Sequence, residues 1–245
     1  MRVVITGSMG SVAGLLVPRL ARSFDLTLVS RRPPVCDPPE HLQIDLDDVE
    51  GLVGACEGAD AVVHLAGESH TFATWDQLVG PNVTGLVNLF EAARRAGVMK
   101  VVFASSNHVT GMYDLEKQWP IGPGQPIRPD SPYGVTKAFG EAMGRYYSDN
   151  FGIAVICLRI GWALERPHNE VARFMWLSPD DLARLVTGAL LSTVRFGIYY
   201  GVSDNTQRHW AIDNAQVDLG YEPQDDSEVY FAGPESRIDG DDDHS

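Results

Sequence analysis

Residues 2–20, "RVVITGSMGSVAGLLVPRL", join a Val/Ile-rich run to a glycine-rich turn and then to an apolar face at helical spacing. The run scarcely alternates, as a strand buried on both faces should not. Val12, Leu15, Leu16 and Leu20 recur at the helical period. Between strand and helix stand Gly7, Gly10, Ala13 and Gly14. Glycines there let the backbone turn tightly and approach an anionic group. The free N–H groups and dipole of a helix start, at Ser11 and Val12, favour such a charge.

The same rhythm continues outward. Short Val/Ile-rich runs at 26–30, 61–67, 100–106, 153–161 and 196–201 read as further buried strands. Helical segments lie between them; Leu86, Leu89, Phe90 and Ala93 trace the face of one that ends at Gly97. Alternating strand and helix predicts an α/β protein, a Rossmann-type doubly wound parallel sheet. The long irregular stretch 111–130 holds four prolines, and the rhythm loosens again over 161–177. A loop of that length in a compact domain is usually functional, so both segments are assigned to a small C-terminal substrate-covering lobe. The pattern then resumes, with Ser178 as helix cap and Pro179 at the first helical position. Residues 1–235 are expected to form one NAD(P)-binding domain, and 236–245 an acidic disordered tail.

The 245 residues carry 33 Asp plus Glu against 19 Lys plus Arg, a net charge of −14 that would repel a phosphate backbone. Nucleic acid is not an expected partner. Three widely spaced cysteines, Cys36, Cys56 and Cys157, offer neither a disulfide framework nor a metal site, and fit a reducing compartment. The histidines show no ligand spacing with Cys or carboxylates, so no metal is expected. The chain enters a strand pattern at once, and no apolar stretch approaches the ~18 residues of a membrane span. A cytoplasmic protein without membrane contact is the expectation.

Dinucleotide folds of this type discriminate NAD from NADP at the end of the second strand, where an acid accepts from the ribose hydroxyls. Here stand Ser30, Arg31 and Arg32, with no acid among them. Guanidiniums suit a 2′-phosphate, which predicts NADP as preferred over NAD; the alternative is that both arginines are solvated loop charges.

In "SPYGVTK", residues 131–137, Ser131 can cap a helix and Pro132 open it, which places Tyr133 and Lys137 on one face. Strand 100–106 should end nearby with Ser106 and Asn107 at its C-terminal edge, where parallel sheets place ligands. A phenol of pKa ~10 is a poor base at neutral pH. A cation ~4 to 5 Å away at an effective dielectric of ~20 favours the phenolate by roughly 3 to 4 kcal/mol, which brings it near working pH. Tyr133 is then the expected general base for a hydroxyl, Ser106 orients the reacting oxygen, and Lys137 also holds the cofactor ribose.

At this point the chain resembles the extended short-chain dehydrogenase/reductases, over about residues 1–222. The resemblance is carried by "TGSMG", "IDLDD", "VVHLAG", "NVTGLVNLFEAARRAG", "FASSNHVTG", "YGVTK", "LRIG" and "DLGYEP". It implies Asp45 and Leu46 beside the adenine, and Leu65, Ala66, Gly67 and Ile160 along the cofactor. It also implies Asn82 supporting a proton-relay water near Lys137, and a homodimer through the helices at about 81–96 and 132–150. Within the branch, "FASSNHVTGMY", "RPDSPYGVTKAFGE" and "WLSPDDLARLV" are most similar to uronate dehydrogenases, which oxidise the anomeric carbon of a hexuronic acid to a lactone with NAD. Ser69, Ser106, Asn107 and His108 would then bind the sugar. Those enzymes have a serine after "RIG" and an arginine nine residues later for the carboxylate. Here Trp162 and Val171 stand at those positions, and Arg173, two places on, is the available guanidinium.

The expected function is thus NAD(P)-dependent oxidation of the anomeric hydroxyl of a sugar or sugar acid. The alternatives are a neutral-aldose or sugar-phosphate dehydrogenase, and a sugar or nucleotide-sugar epimerase with retained cofactor, which usually needs a larger C-terminal lobe than the 85 residues after Ile160. A non-catalytic dinucleotide sensor would have no use for an activated phenol.

Overall fold

The computed structural model describes residues 1–34 and 41–231; Cys36 and the expected acidic tail lie outside them. In chain order the elements begin β1 (Arg2–Thr6), α1 (Ser11–Leu20), β2 (Asp25–Ser30), β3 (His41–Gln43), α2 (Val49–Cys56), β4 (Ala61–His64) and α3 (Trp75–Leu78). A π-helical turn, Val79–Thr84, joins α3 to α4 (Gly85–Arg95), and β5 (Lys100–Ser106) leads through a 3-10 turn, Asn107–Thr110, to α5 (Gly111–Leu115). Then follow α6 (Pro132–Phe151), β6 (Ala154–Ile160), β7 (Trp162–Ala163), α7 (Glu170–Met175), β8 (Trp176–Leu177), α8 (Pro179–Leu191), β9 (Phe196–Gly201) and α9 (Asp213–Leu219).

Seven strands form one sheet in the order β3-β2-β1-β4-β5-β6-β9, every neighbouring pair parallel. Along each strand, side chains alternate between two buried layers, which explains the unbroken apolar runs. Val3, Ile5, Val63 and Val102 join one core with Leu16 of α1, Leu185 of α8 and Leu219 of α9. Val4, Val62 and Val101 join the other with Leu52 of α2, Phe90 of α4 and Tyr147 of α6. The chain runs outward from β1 to β3 and then returns to β4 on the other side of β1. That reversal opens a crevice above the C-terminal ends of β1 and β4, the position where open α/β sheets bind ligands.

Edge strand β3 was not among the expected strands: it has three residues, two of them the polar His41 and Gln43, and so no apolar run to mark it. The helix expected from about residue 81 starts earlier, at Trp75, where the Gln77 side chain accepts from the Thr74 N–H at 2.8 Å. The irregular stretch 111–130 opens with α5. It meets the 161–177 segment at His209, whose ring stacks between Trp119 at 3.7 Å and Phe174 at 4.1 Å. Within 161–177 a second, two-stranded sheet pairs Trp162 with Trp176. Cys56 and Cys157 are buried free thiols, and burial pushes Cys56 up to about 11, so both act as small apolar fillers. Among the described residues no helix is long and apolar enough to cross a membrane.

Candidate active site

A cleft of about 430 Å³ lies at the crevice above β1 and β4. Its floor is the turn after β1. Gly7 has φ +73°, and a Cβ there would lie 2.6 Å from the Ala66 nitrogen and 2.8 Å from the Leu65 carbonyl carbon. Only glycine lets the β1 turn pass so close to the β4 turn. Gly10 then starts α1 without a side-chain cap or an acidic first turn, so backbone donors at this helix start are left for an anion. Ser11 is exposed at the first helical position, whereas the Val12 side chain packs against the core. Leu65, Ala66 and Gly67 line the cleft, joined by Met9, Glu68, Gln77 and Pro81.

Ser30, Arg31, Arg32, Asp45 and Leu46 line the far end. The Ser30 hydroxyl donates to the Arg32 carbonyl at 2.6 Å and lies 2.9 Å from His41 Nε2, so this side chain shapes the turn. Arg32 donates to the Met9 carbonyl at 3.1 Å, which ties the arginine turn to the glycine turn. Exposed Arg31 stands 4.0 Å from the Asp45 carboxylate. An acid therefore does face this end of the cleft, delivered from beyond β3 rather than from the end of β2.

Helix α6 builds the second half of the site. The Ser131 hydroxyl accepts from the Gly134 N–H at 3.2 Å and Pro132 is the first helical residue, as the sequence predicts. Tyr133, Lys137 and Glu141, at successive turns, all face inward and are buried. Lys137 Nζ donates to the Ala104 carbonyl of β5 at 2.8 Å and lies 5.4 Å from the centre of the Tyr133 ring. The pair is thus together beside the end of β5, where Ser106 donates to Asn107 Oδ1 at 3.3 Å and accepts from the His108 N–H at 3.3 Å. Ile160 sits beside Ser106 in register at the end of β6.

Burial sets the electrostatics of this pair. Burial pushes Tyr133 up to about 12, with hydrogen bonding by Ser106 acting the other way and the Glu68 carboxylate adding to the rise. Burial brings Lys137 down to about 8. Desolvation penalises both charged forms, and the Lys137 ammonium donates to a backbone carbonyl of β5. Beneath them His64, 2.7 Å from the Thr6 hydroxyl, falls to about 3 through burial and the nearby Lys137 charge, and stays neutral.

Two of the expected site residues have partners within the protein. Asn82 Oδ1 accepts from the Glu68 N–H at 2.7 Å, while Nδ2 donates to the Glu68 carbonyl at 2.9 Å and the Thr136 hydroxyl at 3.1 Å. Its carboxamide straps the β4 turn to α6. The π turn, with its extra residue, is where this buried side chain is presented. Arg173, expected to meet a carboxylate, is gripped by Glu228: its Nε donates at 2.8 Å and its Nη2 contacts the other oxygen, while Nη1 reaches Glu170 at 3.2 Å. Trp162 is half-buried and stands edge-to-face with His168 at 5.0 Å, and Ser69 is exposed on the loop after β4. Among the described residues no cluster of three or more His, Cys, Asp or Glu is placed to hold a metal ion.

The reading of the sequence missed Asp130, whose carboxylate contacts His108 Nδ1 at 2.8 and 2.9 Å. It also missed Glu141, bound by Arg159 at 2.7 and 2.8 Å. Glu141 was legible: it follows Lys137 by four residues and Tyr133 by eight, on the same helical face.

A parallel sheet with a glycine turn at its switch point and a Ser–Tyr–Lys cluster beside it defines a dinucleotide-fold α/β protein of the dehydrogenase and epimerase type. The chain belongs to the NAD dependent epimerase/dehydratase family, whose profile matches residues 3–187. Over 242 aligned residues it is 37% identical to a uronate dehydrogenase of Pseudomonas putida, covering 96% of this chain and 88% of the relative. It is 36% identical to an L-arabinose 1-dehydrogenase (NAD(P)(+)) of Haloferax volcanii, covering 92% and 97%. A crystal structure of a mutant uronate dehydrogenase from Agrobacterium tumefaciens complexed with NAD superposes with a TM-score of 0.89 at 31% identity, covering 99% of this chain and 91% of that one.

Proposed function

We propose that the protein is an NAD(P)-dependent dehydrogenase that oxidises the anomeric hydroxyl of a free sugar or sugar acid to a lactone. The observation that carries this reading is the convergence of Ser106, Tyr133 and Lys137 at the end of β5, beside a cleft floored by Gly7 and closed at its far end by Arg31 and Asp45. The uncapped start of α1 and the close approach at Gly7 fit a dinucleotide pyrophosphate. The dinucleotide, when bound, supplies the hydride acceptor. Tyr133 takes the hydroxyl proton, Ser106 hydrogen-bonds the reacting oxygen, and the carbon–oxygen double bond of the lactone forms as the C1 hydride departs. Lys137, anchored on the Ala104 carbonyl beside the Tyr133 ring, presents its remaining N–H donors to the ribose.

Arg31 and Arg32 favour NADP, and Asp45 provides an acceptor that lets NAD serve as well. Asn107 and His108 hold sugar hydroxyls. Relatives named for uronate and for L-arabinose support an aldose or its uronic acid as the substrate class. The chain acts as one cytoplasmic domain, paired into a homodimer through α4 and α6.

A panel of aldoses, uronates and sugar phosphates, read by NAD(P)H absorbance, tests the reading. Turnover of at least one sugar is expected, with lactone as product; silence across the panel would overturn it. Tyr133→Phe should lose at least ~100-fold in kcat, the scale of a positioned acid or base, and keep dinucleotide affinity.

A further inference from the structure

His108 follows the end of β5, and its ring stands edge-to-face with that of Tyr133 at 5.8 Å between centres. Its Nδ1 lies 2.9 and 2.8 Å from the two oxygens of Asp130, a bidentate approach. The Asp130 side chain is largely covered, at 14% exposed, while that of His108 is 30% exposed. The carboxylate is built in from other sides too. Ser131, the cap of α6, donates its hydroxyl to Asp130 Oδ1 at 2.8 Å. A Cβ on Gly111 would fall 1.8 Å from Asp130 Oδ2, so the first residue of α5 is bare where the carboxylate sits. Burial opposes the charge on Asp130, yet the hydrogen bonds it accepts from His108 and the Ser131 hydroxyl hold it below the usual carboxylate range.

An ionised carboxylate accepts and cannot donate. The nitrogen facing it must therefore carry a proton, and in the neutral ring the other nitrogen is then an acceptor. We propose that Asp130 is a positioning residue that locks His108 as the Nδ1–H tautomer, leaving Nε2 to accept from a hydroxyl of the sugar bound beside Tyr133. Resting on the sugar dehydrogenase reading above, this names the chemistry of one substrate position: a hydroxyl donor rather than an anionic oxygen. Because Asp130 also contacts the cap of α6, the imidazole and the catalytic helix are oriented by one carboxylate.

Nitrogen-15 NMR of the ring in the substrate-free protein, with His108 assigned by difference from His108→Gln, tests the tautomer without any turnover. A protonated Nδ1 and an unprotonated Nε2 are expected in the neutral ring; a proton on Nε2 would overturn the proposal. Asp130→Asn keeps an oxygen for Nδ1–H, whereas Asp130→Ala does not. The KM for the sugar is expected to rise about tenfold or more in Asp130→Ala, by loss of one oriented hydrogen bond, and to recover largely in Asp130→Asn, with the dinucleotide KM unchanged in both. Equal effects of the two variants on sugar KM, or none, would sink the assignment. Failure of the dehydrogenase reading would instead appear as absence of turnover in the wild-type protein, with the tautomer still measurable.

Discussion

Tyr133 and Lys137 stand one helical turn apart, and the medium around them sets what that spacing means. Both are buried, so the phenol rises to about 12 while the ammonium falls to about 8. The folded value of Lys137 lies below the ~10.4 of a free lysine. Between those pH values the unfolded chain binds the extra proton, so stability rises with pH across that window and the cost of burying the ammonium is fully present below about pH 8. Lys137→Met should therefore stabilise the fold at pH 7 by up to ~3 kcal/mol in denaturant titrations while abolishing turnover; a destabilised variant would show that the bond to the Ala104 carbonyl outweighs desolvation. At the other end of the cleft, replacing Arg31 and Arg32 together by Ala should lower the ratio of kcat/KM for NADP over NAD by ~10- to 100-fold, the scale of charge-assisted hydrogen bonds. An unchanged ratio would mark them as solvated charges. The spacing of Tyr133 and Lys137 was legible in the chain. Their burial, and hence the direction of both shifts, was not, because it depends on what β5 brings against α6.

Helix α6 carries more of the site than the two residues that name it. Glu141, a turn beyond Lys137, accepts from Arg159 of β6 twice and from the Ser105 hydroxyl at 2.7 Å. Arg159 continues to the Tyr200 hydroxyl of β9 at 3.1 Å, Tyr200 meets the Thr110 hydroxyl at 2.7 Å, and Thr110 reaches the Asn107 carbonyl at 3.2 Å. A buried polar chain thus couples α6 to three strands and to the turn that carries Asn107 and His108. Removing one partner of a buried ion pair strands the other charge at a cost of ~3–5 kcal/mol. Arg159→Met should show a loss of that size in urea unfolding, and adding Glu141→Gln should recover part of it; strictly additive losses would mean the two side chains do not act as a pair. Element ends with side-chain caps were readable, at Ser131–Pro132 and Ser178–Pro179, since a cap is local chemistry. Strand β3 and the π turn were not. A three-residue polar edge strand is made by its neighbour, and no local side-chain pattern marks the π turn.

Over the whole molecule the charge is −14, and at the far end of the cleft Arg31 and Arg32 stand with Asp45 and Asp47, so positive charge there is confined to the two guanidiniums. The outward face of α6 leaves Val135, Tyr146 and Phe151 exposed at 44, 50 and 43%, apolar area of the kind that marks association surfaces. If α4 and α6 form the proposed dimer contact, the protein should sediment at twice the chain mass, and Val135→Glu with Tyr146→Glu should halve it without disturbing the secondary structure; an unchanged mass would place the contact elsewhere. The sequence by itself determined the doubly wound sheet, the glycine turn and the Ser–Tyr–Lys set, because period, turn chemistry and helix spacing are written over a few neighbouring residues. Only the tertiary structure decided that Asp45 faces Arg31, that Glu228 occupies Arg173, that Asp130 holds His108 and that burial governs Tyr133. Each of these joins residues from different elements, and side chains distant along the chain acquire partners and a dielectric only when the sheet brings their elements together.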